Sequence, residues 1–214
     1  MALSRPKQGF ESPMGHKKET GFGLFLLRRL PRDRIRMSQI IPITDLEVIS
    51  SLAKSRFDEF EIMRYMLVDN DDLSDSAIDA LVDEIAAPIV AKINCMECAN
   101  CCRSLQVSLT PSDAQRLADG LSIPFKDIVQ ELVDLEAGAK TDEWGVFRHC
   151  PCTLLKDKRC SVYAHRPESC RVYPTFTPDF RWTLEHTIAG SSGCPIIYNV
   201  LDVFLARAQA LGWA

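Results

Sequence analysis

Apolar residues recur every three to five positions over residues 46–67, a spacing that places them on one face of an α-helix. The pattern predicts one long helix, or two helices with a break near Ser55. We expect a capping box over residues 44–47, in which the Thr hydroxyl and the Glu carboxylate satisfy free amides of the first turn. A second helix is predicted after the polar segment 69–75, with a kink at Pro88.

Beyond residue 94 the hydrophobic pattern breaks into shorter pieces. Short strands are predicted where polar and apolar residues alternate, over 106–109, 144–148, 152–155, 160–163 and 181–188. Helices are predicted from the Thr110-Pro-Ser-Asp113 cap to Gly120, over 125–135 and over 196–211. The expected fold class is therefore α+β and mostly helical, with a small antiparallel sheet near the cysteines.

The composition is that of an ordinary globular chain, with 46% hydrophobic and 25% charged residues over 214 positions. No apolar run approaches the roughly 18 residues that cross a membrane, so no membrane span is predicted. The net charge of −4 gives no overall basic surface, and no nucleic-acid binding is indicated.

Charge is unevenly divided along the chain. Residues 1–36 hold nine basic and three acidic side chains, a net +6, whereas the rest hold sixteen basic and twenty-six acidic ones, a net −10. We therefore predict a disordered basic extension over 1–36 and a single domain over 37–214, with a helical part at 37–94 and a cysteine-cluster part at 95–214. The extension is either a passive tail, part of it from an over-long start before Met37, or a basic arm that touches an acidic partner or a membrane surface.

Nine cysteines lie between positions 95 and 194 and carry the strongest chemical signal. They are spaced as Cys95-x-x-Cys98-x-x-Cys101-Cys102, Cys150-Pro-Cys152, Cys160, Cys170 and Cys194. Buried free thiols do not explain four cysteines in eight positions beside polar neighbours. A disulfide framework is disfavoured because nine is an odd number and because the apolar stretch 21–30 is too short and wrongly flanked for a secretory signal. Metal binding is the interpretation that remains, since thiolates select zinc, copper(I) or iron–sulfur centres.

Basic and aromatic residues beside the cysteines are candidates for a supporting role. Arg103, Arg166 and Arg171 are predicted to offset the negative charge of the thiolates through N–H···S contacts. Histidines 149 and 165 are chemically able to ligate zinc, although the thiols are numerous enough without them. Tyrosines 163 and 173 are either core aromatics or donors to a sulfur.

Five blocks of the sequence together resemble the zinc- or iron-chelating family named for its CxxCxxCC motif, the YkgJ-like cysteine-cluster proteins. The blocks span about residues 95–195: Cys95-Met-Glu-Cys98-Ala-Asn-Cys101-Cys102-Arg103, Val107–Asp113, Cys150-Pro151, Cys160–Pro174 and Cys194-Pro195. The resemblance implies a cysteine-rich metal-binding core with eight ligands: Cys95, Cys98, Cys101, Cys102, Cys150, Cys160, Cys170 and Cys194. Cys152 departs from the family's pattern, and is either an extra thiol or the residue that takes the place of Cys150.

The expected function is that of a metal-binding protein that ligates an iron–sulfur cluster or zinc. A Cys-x-x-Cys-x-x-Cys run is closer to small ferredoxins, whereas structural zinc is usually held by two Cys-x-x-Cys pairs, and spacing alone does not separate them. The alternative is an enzyme, because a flagellin lysine N-methylase is similar in the cysteine region; a glycine-rich loop for a nucleotide-like methyl donor is not visible. The expected partners are a metal ion and, as a further candidate, another protein. Reduced thiols at this density indicate the cytoplasm.

Overall fold

The first helices of the described chain turn their apolar stripes toward one core. The computed structural model describes residues 40–214, and the extension predicted over 1–36 lies outside them. The helices are α1 (Leu46–Ser55), α2 (Phe57–Val68) and α3 (Asp75–Val90). Of the two arrangements predicted for this segment, the one with a break near Ser55 is confirmed, because α1 ends there and α2 begins after Arg56.

The start of α1 lies one residue beyond the predicted cap. Asp45 is the N-cap residue, and its carboxylate accepts hydrogen bonds from the Glu47 and Val48 amides at 2.9 and 3.0 Å. The capping box predicted with Thr44 is therefore wrong. A carboxylate at position 45 satisfies two free amides at once, which leaves no such place for the threonine hydroxyl.

The cysteine-rich half consists of short elements. Its helices are α4 (Cys95–Cys98), α5 (Asn100–Ser104), α6 (Pro111–Leu121), α7 (Phe125–Leu132), α8 (Leu135–Ala139) and α9 (Glu168–Val172), with a 3₁₀ turn at Tyr163–His165. Its strands are β1 (Ser108–Leu109), β2 (Val133–Asp134), β3 (Gly145–Phe147), β4 (Leu155–Lys156) and β5 (Arg159–Cys160). The predicted mostly helical α+β fold with a small antiparallel sheet is confirmed.

Two small sheets are built from these strands. In the first the order is β1-β3-β2, both pairs are antiparallel, and Ser108 pairs with Val146. Strands β4 and β5 form a separate hairpin. Its two central residues, Asp157 and Lys158, have φ values of 52° and 84°, the sign that a two-residue type I′ turn requires.

Several predicted boundaries in this half are corrected by the structure. The helix expected to reach residue 135 ends at Leu132, because the next two residues pair as a strand with β3. Gly120 does not end α6, which stops one residue later before Ser122 in the left-handed conformation, φ 55°. Glycine is required at position 120 because His165 packs closely against it: a Cβ there would lie 2.7 Å from the Cβ of His165.

The segment predicted as a strand over 181–188 is a helix. Helix α10 (Phe180–Gly190) begins where the Asp79 carboxylate of α3 accepts from the amides of Asp179 and Phe180, at 3.0 and 2.9 Å. The residue that caps this helix is remote in sequence, so the local alternation of polar and apolar residues wrongly predicted a strand. The closing helix was predicted correctly and is α11 (Pro195–Leu211).

The buried apolar residues form two cores. The helical core is made by α1, α2, α3, α10 and α11, and Phe180 and Phe204 meet within it edge to face at 5.1 Å. The sheet core is smaller and gathers residues of α6, α7 and the three-stranded sheet, such as Leu117, Ile128 and Phe147. The C-terminal helices thus pack with the N-terminal ones, although the cysteine-rich segment lies between them in sequence. Within residues 40–214, no helix has the length and apolar character needed to span a membrane.

Candidate metal centre

A cavity of about 580 Å³ lies where the two cores meet. Its walls include Ile93 and Ile196 of the helical core and Phe147 and Leu154 of the sheet core. Eight cysteines line it: Cys95, Cys98, Cys101, Cys102, Cys152, Cys160, Cys170 and Cys194. All nine cysteines are free thiols, so disulfides do not account for their clustering.

Cys150 is the predicted site residue that the structure places outside this cavity. It is exposed, and its Sγ donates to the carbonyl oxygens of Arg103 and Leu105 at 3.4 and 3.7 Å. Cys152 lines the cavity instead, and its amide donates to the carbonyl of Cys102 at 2.8 Å. The family's spacing pointed to Cys150, and only the path of the chain around the cavity distinguishes the two thiols.

The CxxCxxCC run is split into two short helices by a left-handed residue. Asn94 begins α4, accepting from the Met96 amide at 3.1 Å and donating to Glu97 at 3.0 Å. Ala99 then adopts φ 51° and ψ 20°, which ends α4 and starts α5 in a new direction. This change of direction lets cysteines spaced three residues apart lie around the cavity rather than along one straight helix.

Asn100 ties this run to the last cysteine. Its side-chain amide donates to the carbonyl oxygen of Gly193 at 2.9 Å, across 93 positions of sequence. Gly193 immediately precedes Cys194, the N-cap residue of α11. A Cβ on Gly193 would lie 3.3 Å from the Asn100 amide nitrogen, so the close approach favours glycine. Asn100 therefore fixes the distance between the two ends of the cysteine segment.

The eight cavity thiols fall into two groups. In the helix-side group, burial raises the pKa of the Cys194 thiol, and negative charge at Cys95 and Cys98 raises it further. Cys194 packs against the helical core. Cys101 belongs with them, because charges at Cys95 and Cys194 act on its pKa. This group is Cys95, Cys98, Cys101 and Cys194.

The sheet-side group includes the cavity thiols that pack against the sheet core. Burial raises the pKa of Cys170 to about 12, and charges at Cys102, Cys152 and Cys160 add to the effect. Cys152 and Cys160 both pack against the sheet core. This second group is Cys102, Cys152, Cys160 and Cys170.

Cys102 joins the two groups, since its charge acts on the pKa of Cys95 and its sulfur lies beside that of Cys101. The sulfur atoms of Cys101 and Cys102 are 3.9 Å apart and share a hydrogen bond. That hydrogen bond lowers the pKa of Cys101 and is the first cause that raises the pKa of Cys102, followed by burial. The pair therefore loses its first proton readily and its second with difficulty, which is the behaviour of two coupled acids.

A protein-family model matches the segment that contains these thiols. The CxxCxxCC model, described as a "putative zinc- or iron-chelating domain", matches residues 94–194. Residues 94–194, just under half of the chain, are similar to this family, and we call this segment the CxxCxxCC domain. The CxxCxxCC domain thus begins at the residue that caps α4, ends at the cysteine that precedes α11, and contains all eight cavity thiols.

The chain is also similar to an uncharacterized protein of Methanocaldococcus jannaschii, with 31% identity over 81 residues. The similarity covers 38% of this chain and 43% of that protein, so the chain spans less than half the length of this curated relative. No solved structure matches the chain.

Three basic residues were predicted to support the centre of the CxxCxxCC domain, and the structure places them differently. Arg166 faces both groups, since its charge lowers the pKa of Cys95, Cys102, Cys160 and Cys170 against the larger effect of burial and neighbouring thiols. Arg103 donates to the Cys98 carbonyl at 3.0 Å and also acts on Cys102. Arg171 lines the cavity but pairs with Glu168 at 3.6 Å.

The side chains around the thiols form a cationic environment. Lys158, Arg166 and Arg171 line the cavity of the CxxCxxCC domain, and none of its lining residues in the described chain is an aspartate or a glutamate. The body of the protein is acidic, so this local excess of positive charge is specific to the site. It favours an anionic occupant or ionised thiolates.

The tyrosines and histidines near the cysteines also differ in position. Tyr173 lines the cavity; burial raises the pKa of its hydroxyl, as do the charge of Cys194 and a hydrogen bond with it. Tyr163 lies at the rim, where the guanidinium of Arg166 sits 3.9 Å from its ring centroid. His149 and His165 are exposed and do not line the cavity. Of these candidates, Tyr173 lies beside the Cys194 thiol and also packs against the helical core.

The thiols surround the cavity without converging on one point. As placed, no three Cys, His, Asp or Glu side chains among residues 40–214 are arranged to hold a metal ion. The donor set nevertheless fits soft metals, since it consists of free thiols near cationic groups. Binding would require rotation of cysteine side chains toward each other and release of their protons.

Proposed function

We propose that this chain binds zinc or iron through the eight cavity thiols of its CxxCxxCC domain, with Cys152 in the place expected for Cys150. The observation that carries the proposal is that thiols from five separate stretches of sequence line one cavity. Thiols that served only as small apolar residues would not need to line one cavity. Thiolates gathered in this way are the ligands that zinc and iron–sulfur centres use.

The charges around the cavity support a centre with several thiolates. Four thiolates around one zinc ion leave a net charge of −2, and an iron–sulfur cluster held by four thiolates is also anionic. Arg166 faces four of the eight thiols, and no residue of the described cavity wall is an aspartate or a glutamate. Such outer partners stabilise the ionised ligands and tune the metal.

An iron–sulfur centre is the occupant that we favour. The Cys-x-x-Cys-x-x-Cys run is closer to the cluster-binding runs of small ferredoxins than to the two Cys-x-x-Cys pairs of structural zinc sites. The two groups of four thiols match the four-cysteine ligation of such clusters, so we propose one centre in each group. Free thiols at this density also suit a reducing compartment such as the cytoplasm.

Zinc is the second candidate, supported by one distance. Tetrahedral Zn–S bonds of roughly 2.3 Å place neighbouring sulfurs roughly 3.8 Å apart. The sulfur atoms of Cys101 and Cys102 already lie 3.9 Å apart. One zinc ion would bind both of these sulfurs, whereas with two iron–sulfur clusters Cys101 would bind one cluster and Cys102 the other.

The test is anaerobic purification of the full chain, followed by analysis of iron, zinc and acid-labile sulfide and by a visible absorption spectrum. We expect a brown protein with iron and sulfide in proportion. A colourless protein with stoichiometric zinc would show that the bound metal is zinc and not an iron–sulfur cluster. Failure to retain or take up either metal, with all nine thiols freely alkylated under native conditions, would refute the proposal.

A further inference from the structure

Asp113 is a buried carboxylate that lies outside the cavity and serves two segments at once. It is 1% exposed. Its Oδ2 accepts from the Thr110 amide at 2.8 Å and from the Thr110 hydroxyl at 2.7 Å, which completes the capping box of α6. This role needs only one of its two oxygens.

The other oxygen of Asp113 holds a different element. Its Oδ1 accepts from the backbone amide of Glu168 at 2.8 Å, across 55 positions of sequence. The Arg116 guanidinium donates to the same oxygen and lies 3.6 Å from the Glu168 carboxylate. Glu168 is the first residue of α9, so Asp113 anchors the start of that helix.

Helix α9 carries Cys170 and cannot hold its position by itself. It has five residues, fewer than an isolated helix needs, and none of its residues is fully buried. Besides Asp113, its described polar tethers to the rest of the domain are the Glu168 carboxylate, 3.6 Å from the Arg116 guanidinium, and the Ser169 hydroxyl, which donates to the Ser108 carbonyl at 3.0 Å. The place of Cys170 in the cavity wall therefore depends on these polar contacts.

We propose that Asp113 is a positioning residue for the metal centre: it acts through α9 to hold Cys170 in the sheet-side group. This inference rests on the proposed function. It assigns a role in metal binding to a side chain that touches no sulfur. The carboxylate has to be ionised, because all of its neighbours named above are donors.

The experiment compares Asp113→Asn with Asp119→Asn in the full chain loaded with the metal found in the native protein. Asp119 is on the same helix, is exposed, and accepts only from Gln115 at 2.9 Å, so it is the matched control. Asparagine keeps the size of the side chain but replaces one acceptor oxygen by a donor. We expect Asp113→Asn to weaken metal binding in a competition titration by about 10- to 100-fold, the usual effect of losing an outer partner.

A second readout separates positioning from general damage. The metal should protect Cys170 from alkylation in the wild type, as measured by mass spectrometry, and this protection should be lost in Asp113→Asn while that of Cys95 is retained. In a Cys170→Ser background, Asp113→Asn should cause no further loss of affinity, because the residue acts through that thiol. An equal loss in both backgrounds would overturn the inference and leave only a structural role.

The outcomes for the inference and for the proposed function can be told apart. If the wild type binds metal and Asp113→Asn keeps its affinity and its protection of Cys170, the inference fails and the proposed function stands. If the wild type binds no metal, the proposed function fails first. If Asp113→Asn does not fold, Ser169→Ala tests the positioning of α9 by removing the hydrogen bond from Ser169 to Ser108. It should deprotect Cys170 selectively, and unchanged protection in that variant would contradict the role of α9.

Discussion

The helical core and the cysteine-rich half are held together by different forces. The three-dimensional structure buries Phe60, Phe180 and Phe204 completely in the helical core, whose helices have 10 to 17 residues. In the cysteine-rich half, α4 and α9 have four and five residues and no fully buried ones. Burial of apolar side chains is sufficient to stabilise the helical core. The second region depends on polar tethers such as Asn100 and Asp113 and, in our proposal, on a metal, because helices this short do not persist alone.

Metal removal should separate the two regions most strongly. The binding energy of a thiolate-held metal, on the order of 10 kcal/mol, is also folding energy for the segment that supplies the ligands. After chelation we expect amide hydrogens over 94–172 to exchange faster by orders of magnitude, while those of α3 and α11 remain protected. Hydrogen exchange with mass spectrometry on loaded and chelated protein measures this. Equal loss in both regions would mean that they form one cooperative unit.

A core truncation should do the reverse. Phe204 is fully buried and packs edge to face on Phe180, so Phe204→Ala should lower the free energy of unfolding by about 3–5 kcal/mol. The metal content of the folded fraction should not change, because neither ring lines the cavity. Urea unfolding of chelated protein gives the first quantity and metal analysis the second. Ile62→Ala is the control, since Ile62 is 58% exposed and the change should stay within about 0.5 kcal/mol.

The two neighbouring cysteines of the 150–152 block should behave oppositely. Cys152→Ser removes a cavity thiol and should reduce affinity by more than the roughly 100-fold that loss of an outer partner causes. Cys150→Ser should retain the metal, because the Cys150 thiol does not line the cavity and donates to backbone carbonyls. Metal content of the two purified variants decides between them. Loss of metal in Cys150→Ser together with retention in Cys152→Ser would identify Cys150 as the ligand.

A pair of asparagines gives the smallest and most specific contrast. Asn100 joins α5 to Gly193, whereas Asn199 in the helical core bonds the backbone of Ile43 and Pro195. Asn100→Ala should weaken metal binding by roughly tenfold. Asn199→Ala should leave metal affinity unchanged and lower the free energy of unfolding by about 1–3 kcal/mol, because it leaves buried backbone groups unpaired. A metal defect in Asn199→Ala would show that the two regions are coupled through α11.

The acid sensitivity of the Asp113 contacts follows from its pKa. Burial opposes ionisation, but hydrogen bonds from the Glu168 amide, from Thr110 and from Arg116 outweigh it and lower the pKa of this carboxyl. Its stabilising contribution is therefore complete above the ordinary pKa of aspartate and is lost as the pH falls through the lower folded value. Chelated wild type and Asp113→Asn should converge in stability at acidic pH, as measured by urea unfolding. A constant difference down to the lowest pH would contradict this assignment.

Sequence patterns predicted the local features of the molecule well. The break near Ser55, the Thr110–Asp113 capping box, the polar turn before Cys160 and the closing helix all depend on residues within a few positions of each other. The clustered cysteines likewise indicated a metal site, because their number and spacing are chemically unusual for any other purpose. Seven of the eight cavity thiols were named in advance.

The features that sequence missed all depend on remote partners. Helix α10 is capped by Asp79, which lies 100 positions from Asp179, and Gly120 is required by His165 rather than by the end of a helix. Tertiary structure alone decided that Cys152, not Cys150, lines the cavity, that Cys194 packs against the helical core, and that Cys152 and Cys160 pack against the sheet core. The physical reason is that spacing along the chain determines which residues can share a turn or a face, whereas the surroundings of a thiol depend on how distant segments pack against it.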